Sequence, residues 1–291
     1  MMRAYLAATL AAILWGTSFP LSKIAVQEVG ALTTAAARWW LGSLALVGVL
    51  SLTADSRQLL WRAWRADWQA FSALGVLGVG IYVGLQTAAL SYSTRVDGGL
   101  IMNVFPVVTA VLGVWVLGEK FKRRAVAGLG VASAGVVCIN LGGLQAGASA
   151  QASAPLLGNL LALGAALVGG SYLALGKRAI GAYSPLSVTA LTGLVGAAML
   201  TPCALWEQGN LQVSLPVWAA LAGLALGSSV LAYWLYWHAA QRMPISKVGV
   251  FLYVTPLVST LLGVVALGEP LTVATGVGAG LVLGGVMLVQ S

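Results

Sequence analysis

Aromatic side chains in apolar stretches of this sequence lie one helical turn from a hydroxyl, an amide or a second ring. Tyr82 precedes Gln86 by four residues, and side chains at this spacing share one face of a helix. Rings with a few placed polar groups form pockets for small amphipathic molecules. We predict that such a pocket is lined by Trp15, Ser18, Tyr82, Gln86, Asn103, Tyr233 and Trp237. Helix-to-helix packing is the alternative role of each.

Arg38 is a charged residue at an unusual depth, since it lies about six residues, or roughly 9 Å, inside an apolar stretch. A charge at that depth is costly, and it normally faces the interior of a helix bundle with a partner. Glu28 and Asp97 are the acids that the sequence offers for a structural ion pair. Contact with the carboxylate of a bound molecule is the other role.

The sequence offers few groups for catalysis or metal binding. His238 is the only histidine; we expect a structural role near a helix end, with proton handling as the alternative. Two cysteines in apolar runs make neither a disulfide framework nor a metal cluster. No phosphate-binding Gly-x-x-x-x-Gly-Lys-Ser/Thr loop is present. We therefore predict no enzyme activity, no catalytic residues, no metal, no cofactor and no direct use of ATP.

The composition places these residues in a lipid bilayer. Hydrophobic residues make up 59% of the 291 positions and charged residues 8%, against about 25% charged residues in soluble domains. This argues against a soluble enzyme, a disordered protein and a nucleic-acid binder. We predict an all-α integral membrane protein. Stretches of about 20 apolar residues predict ten transmembrane helices at 5–26, 32–53, 69–91, 97–117, 124–142, 156–176, 186–206, 217–239, 248–267 and 271–289.

The basic residues predict the orientation. With a cytoplasmic N-terminus, twelve of the fifteen Lys and Arg residues fall in cytoplasmic segments, and only Arg95 falls in an outer loop. Cytoplasmic loops carry an excess of Lys and Arg. Both termini are therefore predicted to be cytoplasmic. The uncharged segment 143–155 then lies outside and divides the chain near its middle.

The chain contains an internal repeat. Residues 106–119 (PVVTAVLGVWVLGE) match residues 256–269 (PLVSTLLGVVALGE) at eight of fourteen positions, with an offset of 150. An odd number of helices per copy inverts the second copy in the membrane. We predict two inverted five-helix repeats, residues 1–142 and 156–291, joined by 143–155. Inverted repeats are a transporter architecture, with a substrate site near the midplane between the halves.

Two pairs of residues recur in the repeated block. Pro106 and Pro256 are predicted near the middle of helices 4 and 9, where a proline kinks the helix. Each is either a fixed packing kink or a hinge for alternating access. Glu119 and Glu269 end the same helices, and we expect them to cap helices 5 and 10. A role in transport chemistry is the alternative.

These motifs resemble the drug/metabolite transporter superfamily, in its EamA-type branch of ten-helix exporters. The matching pieces are residues 14–19 (LWGTSF), Arg38, and the Pro…Leu-Gly-Glu blocks that end at Glu119 and Glu269. The resemblance covers nearly the whole chain and occurs in both halves. Within the family, the sequence is most similar to bacterial exporters of aromatic and other apolar amino acids. This resemblance implies a multi-pass protein of the bacterial inner membrane with a small-molecule substrate.

We accordingly expect an exporter of small amphipathic metabolites that works by alternating access. Aromatic and other apolar amino acids are the substrates that the sequence favours. No Asp or Glu falls in the middle of a predicted span, so we expect no strict proton coupling. The alternative is a broad-specificity drug/metabolite efflux carrier with proton coupling, which would favour a deep acidic residue. The glycine spacing Gly276, Gly280 and Gly284 is compatible with a monomer and with a homodimer.

Overall fold

The computed structural model describes residues 1–92, 101–120, 122–145, 154–207, 213–267 and 271–290, and these residues form helices without any strand. Six of the helices are uninterrupted. They are α1 (Met2–Val29), α2 (Ala31–Ser51), α5 (Arg123–Gln145), α6 (Pro155–Ala182), α7 (Pro185–Glu207) and α10 (Val273–Gln290).

Four further helices have an irregular turn within them. In α3, the π-helical turn Val76–Ile81 joins Ala54–Gly75 to Tyr82–Tyr92. In α8, the π-helical turn Leu224–Leu231 joins Leu215–Gly223 to Ala232–Ala240. In α9, the 3-10 turn Phe251–Tyr253 joins Ile245–Val250 to Val254–Leu267. In α4, a turn at Asn103 separates residues 101–102 from Val104–Leu117.

These helices confirm the predicted all-α fold, because each predicted span coincides with one of them. Eight are long and apolar enough to cross a membrane. The two others are α2, in which Arg38 lowers the mean hydropathy, and α4, whose described apolar part has 14 residues. One helix extends beyond its predicted span: α3 begins at Ala54, whereas the predicted span begins at residue 69.

The helices pack in a pattern that is unchanged when the first five are exchanged with the last five. Helix α1 packs on α8 and α9, and α6 packs on the equivalent helices α3 and α4. Helix α2 packs on its counterpart α7, α4 on α9, and α5 on α10. The π-helical turns also lie in equivalent helices, α3 and α8. Two copies of one five-helix unit would pack in this way; the repeat boundaries and the inverted orientation remain predictions.

Glycine allows the close approach of α5 and α10. A Cβ atom on Gly135 would lie 2.7 Å from the carbonyl oxygen of Gly278, and one on Gly285 would lie 2.5 Å from the amide nitrogen of Ala132. Larger residues would push these backbones apart. The spaced glycines of the sequence motif, Gly276, Gly280 and Gly284, instead face open space.

Each repeated proline lies inside its helix, shortly after an irregular turn. Pro106 is the third residue of Val104–Leu117, and Pro256 is the third residue of Val254–Leu267. The first four N–H groups of a helix have no partner within it, so a proline in this turn leaves no carbonyl unpaired. Each proline thus follows a break in the helix, at Asn103 in α4 and at Phe251–Tyr253 in α9.

Candidate functional site

Aromatic rings from four helices meet around Tyr233 of α8. The ring of Trp15 from α1 lies 5.1 Å from that of Tyr233 in an edge-to-face arrangement, and the ring of Trp39 from α2 lies 5.2 Å from it. Tyr172 from α6 completes the group at 6.1 Å. We call Trp15, Trp39, Tyr172 and Tyr233 the ring cluster. Edge-to-face and tilted contacts of this kind stabilise packed rings beyond the area that they bury.

A second pair of rings, Tyr82 of α3 and Phe105 of α4, stacks with centroids 5.5 Å apart. The Gln86 side-chain amide donates to the Tyr82 hydroxyl at 3.0 Å, which confirms that these residues share a helix face. Gly169 of α6 provides the space, because a Cβ atom there would lie 2.7 Å from the Tyr82 ring. Three helices therefore fix the position of Tyr82.

The π-helical turn of α8 holds Trp15 in place. The indole N–H of Trp15 donates to the backbone oxygen of Ser228, within that turn, at 3.1 Å. The Ser18 hydroxyl donates to the backbone oxygen of Trp15 at 2.6 Å. Single π-helical turns are frequent at functional sites because they change the direction of side chains and free backbone groups.

Arg38 of α2 directly precedes Trp39 of the ring cluster, and its charge interacts electrostatically with Tyr82 and Tyr233. Its side chain is half-buried, and its Nε atom is buried without a hydrogen-bond partner. No carboxylate of the described part of the chain pairs with it. Glu28, one of the two acids predicted to do so, instead accepts from the backbone N–H of Ser214 at 2.5 Å and from its hydroxyl at 2.7 Å. The Glu28 ion pair was therefore wrong, and Asp97 lies outside the described residues.

The predicted pocket residues divide by exposure. Trp15, Ser18, Tyr82, Gln86 and Asn103 are half-buried, so part of each surface is accessible. Asn103 is joined to the other half of the chain, since its backbone oxygen accepts from the Tyr253 hydroxyl at 3.3 Å.

Two predicted pocket residues are enclosed. Tyr233 is 4% exposed at the centre of the ring cluster. Trp237 is fully buried, with its ring 5.6 Å from that of Tyr172 and pressed against Gly176. Trp237 therefore packs against the ring cluster through Tyr172 and is not accessible from outside the protein.

Glu119 joins three helices at one end of the bundle. Its carboxylate accepts from the ammonium group of Lys177 at 2.6 Å, from the N–H of Ile245 at 2.7 Å, and from the N–H and hydroxyl of Ser246 at 2.9 and 2.7 Å. Lys177 also donates to the backbone oxygen of Met243 at 2.8 Å. We call this arrangement the Glu119 clasp. Burial raises the pKa of Glu119, but the hydrogen bonds outweigh burial and hold the pKa below its usual value.

The clasp corrects the prediction that Glu119 caps helix 5, because its carboxylate caps α9. The cause lies at Gly118, which ends α4 with a φ of +67°. This left-handed conformation suits glycine and turns the chain back, so that Glu119 N–H donates to the Gly113 carbonyl at 3.1 Å. Glu269 lies outside the described residues.

Glu207 makes a similar cap at the opposite end of the bundle, which the sequence did not predict. From the end of α7, its carboxylate accepts from the N–H groups of Ala31, Leu32 and Thr33, the first residues of α2, at 2.8, 3.1 and 2.8 Å. Gly30, with a φ of +87°, leaves room, since a Cβ atom there would lie 2.5 Å from the carboxylate.

His238 contacts residues of its own helix and of the turn that follows it. Its ring lies 6.0 Å from that of Trp234 on the same helix. Its backbone oxygen accepts from Arg242 at 3.0 Å.

Several known proteins resemble this chain. The uncharacterized transporter YetK of Bacillus subtilis is 25% identical over 99% of this chain and 86% of its own. The aromatic amino acid exporter YddG of Ancylobacter novellus is 26% identical over 72% of each chain. A probable terminal-alkyne amino-acid exporter of Streptantibioticus cattleyicolor is 24% identical over 99% of this chain and 93% of its own.

A solved crystal structure shares the fold across 99% of this chain and 98% of its own, with a TM-score of 0.81 and 23% identity. The model of the EamA-like transporter family matches residues 2–141 and again residues 156–291. The chain belongs to the EamA-like transporter family, within the drug/metabolite transporter superfamily.

Proposed function

We propose that this transporter exports small amino acids with aromatic or other apolar side chains, by alternating access between two inverted five-helix repeats. The observation that carries this proposal is the guanidinium of Arg38, which has a buried Nε atom without a hydrogen-bond partner and no carboxylate partner among the described residues, and which interacts electrostatically with Tyr82 and Tyr233. Deep charges in membrane proteins are normally paired. A substrate carboxylate supplies the missing partner, and the planar guanidinium suits two parallel hydrogen bonds to it.

The surrounding groups match the rest of an amino acid. Trp15 and Tyr82 offer partly accessible ring faces for an aromatic or apolar side chain. The amide oxygen of Gln86 and the hydroxyl of Tyr82 can accept from the substrate ammonium group. Two relatives with amino-acid exporter names support the same class of substrate.

The two glutamate caps supply a mechanism for alternating access. The Glu119 clasp joins the end of α4, in the first half, to α6 and the start of α9, in the second half. In our proposal these contacts close one end of the substrate path. In our proposal this end is cytoplasmic, and release of the clasp lets substrate enter. The Glu207 cap on α2 is released when the opposite end opens. Substrate bound at Arg38 is thus exposed to one side at a time.

Strict coupling to protons is not part of this mechanism. Coupling needs a group in the substrate path that gains and loses a proton near neutral pH. The lowered pKa of Glu119 keeps it ionised there, and the ring contact of His238 is with Trp234, which is not part of the ring cluster. Amino acids then leave the cell down their own gradient.

Uptake into proteoliposomes tests this function. Purified protein should carry radiolabelled phenylalanine, and unlabelled tryptophan, leucine and methionine should compete. A lack of competition by all of these amino acids, with protein that is monodisperse and correctly inserted, contradicts the proposed substrate class.

A further inference from the structure

Helix α3 is too long to lie within the hydrocarbon of a membrane. The part of the helix that contains the candidate membrane span, Ala54–Ala89, has 36 residues, and its length along the chain is about 54 Å at 1.5 Å per residue. The hydrocarbon core is about 30 Å thick and needs only about 20 residues. Because its basic residues are all in the first part of α3, residues 54–66, this is the part that lies outside the core.

This first part has three different surfaces. Leu60 and Ala63 are buried against the helix bundle. Arg62 and Arg65 lie on the opposite face, as their spacing requires, and both are exposed, as is Arg57.

Two exposed tryptophans accompany the arginines, Trp61 within the segment and Trp68 just after it. Trp61 and Trp68 are 54% and 52% exposed, and the guanidinium of Arg65 lies 4.8 Å from the centre of the Trp61 ring. An apolar flank with tryptophan beside a basic face is typical of helices that lie in the membrane interface.

The helix changes direction where this segment ends. Asp67 has a non-helical backbone, with φ −137° and ψ 39°. Its carboxylate accepts a hydrogen bond from the Tyr183 hydroxyl, and the ring of Tyr183 packs 5.1 Å from that of Phe71. The junction between α6 and α7 thus anchors the kink, and the amphipathic segment 54–66 is held against the bundle in a fixed direction.

We propose that residues 54–66 form an interfacial helix that binds the headgroups of anionic phospholipids through Arg57, Arg62 and Arg65. Charge complementarity selects this partner: the segment carries three exposed arginines and one acid, Asp55. Exposed arginines near a membrane surface attract anionic lipids. Trp61 and Trp68 place the helix at the depth where those headgroups lie. Lipid binding here does not depend on which substrate the transporter carries.

Lipid retention by the full-length protein tests this site. Purified protein is equilibrated in detergent with equal amounts of phosphatidylglycerol and phosphatidylcholine, and the retained lipids are counted by native mass spectrometry. The triple variant R57Q/R62Q/R65Q should reduce the preference for phosphatidylglycerol by roughly 100-fold, since each arginine near the surface contributes about 1 kcal/mol. The charge-conserving variant R57K/R62K/R65K should keep most of it.

A matched control removes three other exposed basic residues. K120Q/K122Q/R123Q changes the net charge equally, but in the loop after α4, and should retain the preference. An equal loss in this control, or an unchanged preference in R57Q/R62Q/R65Q, overturns the proposal. If the triple variant is not monodisperse, Arg62→Gln alone should lose part of the preference for phosphatidylglycerol. An unchanged preference in Arg62→Gln would also overturn the proposal.

Discussion

Replacing Glu119 with glutamine should open the Glu119 clasp. The carboxylate accepts four hydrogen bonds at 2.6–2.9 Å, one of them from an ammonium group. A glutamine amide keeps one acceptor oxygen, but its NH₂ group then faces a donor, either Lys177 or Ser246. Removing one partner of an enclosed ion pair costs about 3–5 kcal/mol. Lys177 is 25% exposed and keeps its bond to the Met243 carbonyl, so we expect about 2 kcal/mol, or roughly a 30-fold shift toward the open state.

A cysteine behind the clasp reports this shift. Thr109 of α4 is fully buried, one helical turn before Gly113, which itself touches Glu119 and Ile245. Its hydroxyl donates to the backbone oxygen of Phe105 within the same helix at 3.0 Å, so a cysteine fits with little disturbance. With Cys138 and Cys203 replaced by alanine, the rate of Thr109→Cys alkylation by a small permeant maleimide measures opening.

The rate should rise by roughly 30-fold in Glu119→Gln. Glu207→Gln is the matched control, because it weakens a similar cap at the opposite end and should leave this rate unchanged or lower. The gating role of the clasp is wrong if Glu119→Gln leaves the rate unchanged, or if both variants raise it equally, which would indicate general loosening of the bundle.

Four further outcomes are expected. Hydrogen bonding lowers the pKa of Glu119, so the clasp is stable above the ordinary glutamate pKa of about 4.3 and is lost as pH falls through the lowered value. The rate of Thr109→Cys alkylation, corrected for thiol ionisation, should therefore stay constant from pH 8 to 5. Arg38→Gln should weaken phenylalanine transport by about 10- to 100-fold, with less effect on its methyl ester; equal losses for both would contradict carboxylate binding. Trp15→Ala and Tyr82→Ala should reduce transport of phenylalanine about 2- to 10-fold more than that of alanine, since ring contacts contribute about 0.5–1.5 kcal/mol; equal losses would point to damaged folding. An imposed pH gradient should cause no net accumulation of phenylalanine in liposomes with equal substrate on both sides, and accumulation abolished by a protonophore would refute uncoupled export.

The sequence predicted the helices because hydropathy and length alone decide which segments cross a bilayer. Every predicted span coincides with a helix. The chain is a multi-pass membrane protein, as its composition indicated, and the bacterial membrane is the one that the family resemblance implied. The first part of α3 was missed because Arg57, Arg62 and Arg65 interrupt the apolar pattern there. The π-helical turns Val76–Ile81 and Leu224–Leu231 could not be predicted, because their amino-acid composition does not differ from that of the flanking α-helix. Packing against other helices decides such local geometry.

Contacts within one helix could be predicted, and contacts between distant helices could not. Tyr82 and Gln86 share a face because four residues make about one turn. Glu119 was assigned to the helix that follows it in sequence, whereas its carboxylate caps α9, whose start is 126 residues away. Glu207 and its partner Ala31 are 176 residues apart, and no local pattern connects them. The sequence likewise could not show that Glu28 does not pair with Arg38, because Glu28 accepts hydrogen bonds from Ser214, 186 residues away.

Counterflow of phenylalanine and of its decarboxylated analogue phenethylamine tests the central claim most directly. The two molecules share the ring and the amine and differ in the carboxylate that Arg38 is proposed to bind. Proteoliposomes loaded with unlabelled phenylalanine should take up labelled phenylalanine rapidly and labelled phenethylamine at least tenfold more slowly, and Arg38→Gln should remove most of this difference. Equal counterflow of both compounds by the wild-type protein would contradict amino-acid export through this site and favour a broad efflux carrier.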